Sequence, residues 1–184
     1  MKTLQALLII DYTNDFVDDK GALTCGKAGQ KIMPDLISLA NKFVKDDEWV
    51  ILPTDIHKTY DPYHPENKLY PPHNVYGTWG RKFYGTLDKW YKKNKSNNKV
   101  YMFNKTRYSA FAGTDLDLRL RERNVKKLYL TGVCTDICVL HTAVDAYNLN
   151  YQLVIPKNAV ATFTPTGQQW ALNHFKNALG AEIV

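Results

Sequence analysis

The sequence has few cysteines and lacks any segment typical of a linker, a repeat or a membrane span. Its three cysteines, Cys25, Cys134 and Cys138, are an odd set without a secretion signal, which argues against a disulfide framework. No apolar run approaches the ~20 residues that a transmembrane helix needs. The 184 residues are therefore predicted to form a single domain, 1–184, large enough to bury a core.

The charge balance is basic, but the charges are not concentrated. There are 24 Lys and Arg residues against 18 Asp and Glu, a formal net charge of +6. The densest basic run, 89–95, is typical of a helix end and a solvated loop, so we do not expect nucleic acid as a partner. The short apolar start ends at Asp11 and favours a buried strand over a signal peptide. We expect a cytoplasmic protein without a membrane partner; the sequence leaves the oligomeric state open, including a homo-oligomer.

Short apolar runs alternate with segments of helical periodicity. A parallel sheet with helices on both faces follows from this alternation. The predicted strands are Leu4–Ile10, 49–52 (ended by Pro53), 99–103, 128–131, 151–155 and 181–184, and the predicted helices are 32–44, 83–92, 115–123, 136–149 and 166–179.

Chemically active side chains follow four of these strands. Asp11 follows the first strand, Asp55 and His57 the second, and Lys105 the third, while Cys138 closes the segment 132–138 after the fourth. Ligands of open parallel sheets bind at the carboxyl ends of the strands. The coincidence of four such positions predicts a functional site at this edge.

Cys138 is the candidate nucleophile, because it lies near the start of the predicted helix 136–149. Helix N-termini and a nearby Lys favour a thiolate, and a nearby carboxylate can take the thiol proton. We therefore expect Cys138 to react below the pH range of a free cysteine, whose pKa is about 8.5. The alternative is a small buried hydrophobe. Cys134, the rival thiol, is interpreted as structural and Cys25 as incidental.

The loop 55–80 is unusually long and contains a second group of candidate ligands. Asp55, His57 and His73 offer carboxylate and imidazole ligands that suit Zn²⁺, Fe²⁺ or Mn²⁺, and Glu66 can add a fourth. His64 is interpreted as a chance histidine of a polar loop, an interpretation that also remains open for the others.

Aromatic residues accompany both groups. A stacking slot for a flat ring and ordinary core packing are both consistent with them, and packing is favoured for Phe111. The residues are Phe16, Trp79, Tyr108 and Phe111.

Five segments in a fixed order give the chain a family resemblance: 8–16, 55–57, 71–73, 105–111 and 131–139. With them the sequence resembles the cysteine hydrolases of the isochorismatase-like superfamily and, within it, the nicotinamidases. The resemblance implies a Rossmann-like, three-layer α/β/α fold with a six-stranded, mostly parallel sheet. It also implies hydrolysis of nicotinamide, and of pyrazinamide, through a cysteine thioester in NAD salvage.

The resemblance also implies a role for each matching position. Cys138 is the implied nucleophile, Lys105 the electrostatic lysine and Asp11 the acid and base. The backbone N–H groups of Cys134 and Cys138 are the implied oxyanion donors, beside a non-proline cis peptide between Val133 and Cys134.

A metal site and ring contacts are implied as well. Asp55, His57, Glu66 and His73 match the ligands of a divalent metal, most consistent with Zn²⁺, with Fe²⁺ or Mn²⁺ as alternatives. In the family that metal binds the pyridine nitrogen of the substrate. The implied aromatic contacts to the ring are Phe16 and Tyr108.

Two alternatives are also consistent with the sequence. Another amidase or isochorismatase-like hydrolase of the same superfamily is the nearer one, although isochorismatases commonly lack the cysteine and the histidines, and carbamoyl-amidases lack the metal site. A non-catalytic metal- or nucleotide-binding module is the more distant one, and it predicts no activated thiol.

Overall fold

The computed structural model describes residues 4–184, which include one sheet of seven parallel strands. The strand order is β3-β2-β1-β4-β5-β7, and β6 pairs with the end of β4. The strands are β1 (Leu4–Ile10), β2 (Trp49–Asp55), β3 (Val100–Lys105), β4 (Val125–Val133), β5 (Gln152–Ile155), β6 (Val160–Ala161) and β7 (Glu182–Ile183).

Helices cover both faces of this sheet, which gives the three layers expected. They are α1 (Asn14–Val17), α2 (Gly26–Lys31), α3 (Met33–Lys45), α4 (Gly85–Asn94), α5 (Leu116–Glu122), α6 (Leu140–Asn148) and α7 (Pro165–Asn177). Alternate residues of β1 point to opposite faces: Ala6, Leu8 and Ile10 join the core under α5, α6 and α7, whereas Leu7 and Ile9 join the core under α3 and α4. The apolar run of β1 thus serves two cores.

The second strand is longer than predicted, because Pro53 does not end it. Pairing of β2 with β1 stops at Ile51, whereas pairing with β3 continues to Asp55. The missing N–H of Pro53 falls on the β1 side, past the end of that ladder, so it interrupts no strand pairing. The strand count was also wrong by one, since the short β6 gave no periodic signal in the sequence.

The helix predicted at 136–149 begins differently. A π-helical turn spans Thr135–Val139, and α6 follows from Leu140 to Asn148. Short π-helical segments are rare and occur frequently at functional sites. Two other short elements, α1 and α2, lie in a region left without helices by the sequence pattern. Within residues 4–184, none of the helices has the length and apolar character to cross a membrane.

Candidate active site

Three strand ends bring a carboxylate, an ammonium and a thiol together. Asp11 follows β1, Lys105 is the last residue of β3, and Cys138 lies in the π-helical turn after β4. Lys105 Nζ lies 2.7 Å from Asp11 Oδ2 and 3.8 Å from Cys138 Sγ. Asp11 is 0% exposed, Lys105 1% and Cys138 6%, so this ionic group is shielded from solvent.

The backbone holds Asp11 in a fixed orientation. Its φ of 54° lies in the left-handed region, where Asp is better tolerated than most residues. Its N–H donates to the carbonyl of Pro53 at 3.1 Å, and its Oδ1 accepts from the N–H of Asp55 at 2.7 Å. The end of β2 therefore orients the carboxylate that follows β1.

Lys105 is held as an ammonium. Burial alone would lower its pKa, but the negative charge of Asp11 and the hydrogen bond to that carboxylate outweigh burial and raise the pKa of Lys105 overall. Nζ also donates to the carbonyl of Arg107 at 3.0 Å. The side chain is a fixed positive charge between the carboxylate and the sulfur.

The thiol of Cys138 does not have the lowered pKa expected from its place near a helix start. Burial raises its pKa well above the ordinary value, and the opposing effect of Lys105 is too small to compensate. Burial likewise raises the pKa of Asp11 from 3.8 to about 6, against the lowering effect of Lys105. At neutral pH the resting site therefore holds a neutral thiol beside an ionised carboxylate.

The turn that carries Cys138 begins at a close approach of two backbones. Gly132 has a φ of 103°, and a Cβ there would lie 2.1 Å from the carbonyl oxygen of Ile10, so only glycine fits. The peptide between Val133 and Cys134 is cis, as the resemblance implied. The Val139 N–H donates to the Cys134 carbonyl at 3.1 Å and closes the wide π turn.

Thr142 ties this turn to the segment after Lys105. Its hydroxyl donates to the Cys138 carbonyl at 2.7 Å and accepts from the Ala110 N–H at 3.0 Å. Thr142 is fully buried. The nucleophile turn and the loop after β3 are thus joined by one side chain.

A second cluster of buried ligand atoms lies beside this group. Its members are Asp55, His57, Glu66 and His73, all less than 9% exposed. His57 Nε2 lies 2.8 Å from Asp55 Oδ2 and 4.0 Å from Glu66 Oε2. His73 Nε2 lies 3.7 Å from Asp55 Oδ2 and 3.4 Å from Glu66 Oε2.

The donor atoms of this cluster fit a metal ion. Asp55 Oδ1 and His73 Nε2 are buried and have no hydrogen-bond partner among the described residues. The other ring nitrogen of His73, Nδ1, lies 2.8 Å from the carbonyl of Pro71, an arrangement typical of metal-bound histidine. Burial alone would raise the pKa of Asp55, but His57 and Lys105 outweigh it and lower that pKa. Asp55, His57 and His73 are close enough to share one ion.

His64 is not the chance loop residue that the sequence indicated. It is buried, its Nδ1 accepts from the Glu66 N–H at 3.3 Å, and its Nε2 lies 2.9 Å from the Thr106 carbonyl. His64, His57 and Glu66 are also near enough to share an ion. Because both nitrogens of His64 already have partners, we assign it the task of holding Glu66 and not that of a ligand.

A narrow cavity connects the thiol with the ligand cluster. Its walls are Phe16, Leu23, Asp55, Glu66, Tyr70, Tyr108, Cys134, Ile137, Cys138 and Phe163. The ring of Phe16 lies 5.4 Å from that of His73, centroid to centroid. A slot between apolar rings, with sulfur and carboxylates in its walls, suits a small flat molecule that carries a reactive carbonyl.

Two of the aromatic candidates lie elsewhere. Trp79 is 48% exposed and does not line the cavity, and Phe111 stacks on Tyr151 in the core, as favoured from the sequence. Conversely, the sequence missed Leu23, Tyr70, Ile137 and Phe163. Tyr70 had a local signal, because this aromatic residue lies in the sequence between the candidate ligands Glu66 and His73. In the structure its N–H donates to the Glu66 carbonyl.

Cys134, which is part of the cavity wall, contacts Cys25. A hydrogen bond with Cys25, together with burial, raises the pKa of Cys134. The Cys25 thiol also donates to the Phe16 carbonyl at 3.1 Å, so Cys25 is more than an incidental loop residue. The Cys134 thiol faces another cysteine and not Lys105. This arrangement is typical of a residue that packs in the core, which is how Cys134 was interpreted from the sequence.

Known proteins match the chain over nearly its whole length. The family model described as the isochorismatase domain matches residues 5–184. A crystal structure titled nicotinamidase/pyrazinamidase PncA from Bacillus subtilis is 52% identical, with a TM-score of 0.97, and the match covers 99% of this chain and 100% of that one. One titled pyrazinamidase/nicotinamidase from Streptococcus mutans is 49% identical, with a TM-score of 0.96, over 98% and 99% of the chains.

A third structure bears on the ligand cluster. It is titled as the pyrazinamidase of Pyrococcus horikoshii in complex with zinc, is 29% identical with a TM-score of 0.84, and the match covers 98% of both chains. Taken with the family model and the Bacillus protein, these matches show that the chain belongs to the isochorismatase family.

Proposed function

We propose that this member of the isochorismatase family is a nicotinamidase, which hydrolyses nicotinamide to nicotinate and ammonia and accepts pyrazinamide as well. The observation that supports this most is one cavity whose wall contains Cys138, the thiol of the Cys–Lys–Asp group, together with Asp55 and Glu66 of the ligand cluster. The names of the Bacillus and Streptococcus structures support the same activity. We propose that residues 1–184 form one hydrolase domain and that its ligand is this small amide.

The aromatic walls and the ligand cluster select the substrate. Phe16 and Tyr108 would flank the ring, and Asp55, His57, Glu66 and His73 would hold a divalent cation, which we propose to be Zn²⁺. A mixed nitrogen and oxygen donor set suits zinc, and the Pyrococcus structure is titled as a zinc complex. When bound, the cation supplies a Lewis-acidic position for a ring nitrogen. Nicotinamide and pyrazinamide both carry a nitrogen meta to the carboxamide, so one pocket can orient both.

Attack by sulfur is coupled to a proton transfer. Asp11 takes the proton of the Cys138 thiol as the sulfur bonds to the carboxamide carbon, and Lys105 stabilises the negative charge that the pair retains. The neutral resting thiol and the ionised Asp11 give the right starting protonation states. The backbone N–H groups of Cys134 and Cys138 hold the oxyanion; a donor of this kind contributes ~10²–10³ in rate.

The same carboxyl group completes the reaction. Asp11 gives its proton to the departing nitrogen, the C–N bond breaks, and ammonia leaves a thioester on Cys138. Asp11 then takes a proton from water as the hydroxide adds to the thioester carbon, and the sulfur leaves and regains its proton. Nicotinate is released and the initial protonation state is restored.

An ammonia-release assay with matched amides tests this function. We expect turnover of nicotinamide and pyrazinamide, much slower turnover of benzamide, which has no ring nitrogen, and of isonicotinamide, whose nitrogen is para. Metal analysis of the purified protein separates Zn²⁺ from Fe²⁺ and Mn²⁺. Equal rates on benzamide and nicotinamide would contradict a metal that reads the ring nitrogen, and no turnover of any of these amides would refute the proposal.

A further inference from the structure

Asn74 contacts the backbone or the side chain of two ligand residues and is adjacent to a third. It is fully buried and has a φ of 45°, a left-handed conformation that Asn tolerates. Its carbonyl accepts from the His57 N–H at 3.1 Å, and its side-chain Nδ2 donates to Asp55 Oδ2 at 3.4 Å. His73 is its neighbour in the chain.

Two residues from the segment after β1 fix Asn74 in turn. The Asn74 N–H donates to Asp15 Oδ2 at 2.7 Å, and the Thr13 hydroxyl donates to Asn74 Oδ1 at 2.8 Å. Asp15 is itself held in place. Its Oδ1 accepts from the Ala22 N–H, and Gly80 packs so closely against it that a Cβ on Gly80 would lie 2.0 Å from Asp15 Oδ2.

The amide of Asn74 has one consistent orientation. An ionised carboxylate only accepts hydrogen bonds, so the NH₂ group must face Asp55 and the oxygen must face Thr13. The side chain therefore bridges the start of the fold and the ligand cluster with both ends occupied.

We infer that Asn74 is a positioning residue for the metal site, orienting the Asp55 carboxylate and fixing the backbone from which His57 and His73 reach the ion. The inference rests on the proposed metal site. Partners of this kind behind metal ligands change metal affinity by ~10–100-fold when they are removed. Asn74 does not itself line the cavity, and the wall residue it contacts is Asp55, a proposed ligand, so we expect its effect on the cation and not on the sulfur.

The test is the zinc affinity of Asn74→Gly. Glycine keeps the left-handed backbone and both main-chain hydrogen bonds and removes only the side-chain amide. Asn124→Gly is the matched control, because Asn124 is an exposed asparagine with a φ of 53° far from the cluster. With full-length protein stripped of metal, competition against a chromogenic chelator should show zinc bound ~10–100-fold more weakly by Asn74→Gly and equally well by Asn124→Gly.

Cobalt gives a readout that loss of fold stability alone does not change. The visible absorption bands of Co²⁺ depend on ligand geometry, so they should shift or lose intensity in Asn74→Gly and stay unchanged in Asn124→Gly. Thr13→Val provides a milder variant if Asn74→Gly does not fold. It removes the donor to Asn74 Oδ1 and should weaken zinc binding about fivefold, the effect of one ordinary hydrogen bond.

The outcomes distinguish the proposed metal site from the role of Asn74 in it. A wild-type protein that binds no zinc overturns the metal site and this inference with it. A wild-type protein that binds zinc, with Asn74→Gly and Thr13→Val of equal affinity and an unchanged cobalt spectrum, overturns the role of Asn74 alone and leaves the proposed function standing.

Discussion

Lys105→Met tests the Cys–Lys–Asp group by its effect on the stability of the fold, without a measurement of turnover. Methionine has nearly the length of lysine but no charge, so the substitution removes the charge with little change in shape. The pair it breaks is buried, with Lys105 Nζ 2.7 Å from Asp11 Oδ2. The carboxylate of Asp11 would keep the Asp55 N–H as a donor but lose its counter-charge. Removal of one partner from a buried ion pair costs ~3–5 kcal/mol, so the free energy of unfolding at pH 8 should fall by about that amount.

The loss should depend on pH, because Asp11 is the group left behind. Burial raises the pKa of Asp11 to about 6 in the folded protein, so its protonated form favours folding. Stability from this group is complete below pH 3.8 and is lost as the pH rises through about 6, a change of about 3 kcal/mol. Without Lys105 the pKa of Asp11 rises further. The variant should therefore differ little from wild type near pH 4 and strongly at pH 8.

Denaturant unfolding of the metal-free protein at several pH values measures this directly. Lys92→Met is the control, since Lys92 forms an exposed ion pair with Asp88 one turn away in α4. Such helix pairs contribute only ~0.3–0.5 kcal/mol, so the control should lose no more than that at either pH. The double variant Asp11→Asn with Lys105→Met should recover part of the loss, because no charge remains buried. A loss in Lys105→Met that is the same at both pH values, or no larger than in Lys92→Met, would refute the reasoning.

Three further predictions concern the thiol and the metal. Cys138→Ala should abolish ammonia release from nicotinamide while its circular dichroism spectrum and zinc content stay unchanged; normal turnover would rule out Cys138 as the nucleophile. Because burial raises the pKa of Cys138, iodoacetamide should alkylate it in metal-free protein only as the pH rises beyond the free-cysteine value of about 8.5, and full reactivity near pH 6 would contradict this. Removal of zinc, or His73→Ala, should raise KM for nicotinamide yet leave Cys138 open to alkylation; an unchanged KM would mean that the cation does not hold the ring.

The sequence predicted which strand ends meet, because parallel strands with helices between them place their carboxyl ends on one edge. Asp11, Lys105 and Cys138 follow three neighbouring or near-neighbouring strands, and that was sufficient to expect their proximity. Strand ends were less predictable. Pro53 looks like a strand end in isolation, yet it lies where the β1 ladder has already stopped, a matter of register that local sequence does not encode.

The protonation state of Cys138 and the contacts between residues distant in the sequence could not be predicted from local sequence. A position near a helix start suggested a thiolate for Cys138, but the pKa follows from burial, which depends on the packing of the whole site. His64 looked like a chance histidine because its carbonyl partner, Thr106, is 42 residues away. The cavity walls Leu23 and Phe163 come from opposite ends of the chain and carry no motif of their own.

The residues proposed for bond cleavage and those proposed for ring recognition belong to different parts of this molecule. Asp11, Lys105 and Cys138 lie at strand ends or in the turn after one, whereas His57, Glu66 and His73 come from the long loop between β2 and α4. Asp55 belongs to both, since its N–H holds Asp11 and its carboxylate faces the histidines. An exchange of the loop beyond Asp55 for another sequence would change which amide is chosen and leave the cleaving apparatus in place, a route by which one scaffold acquires new substrates.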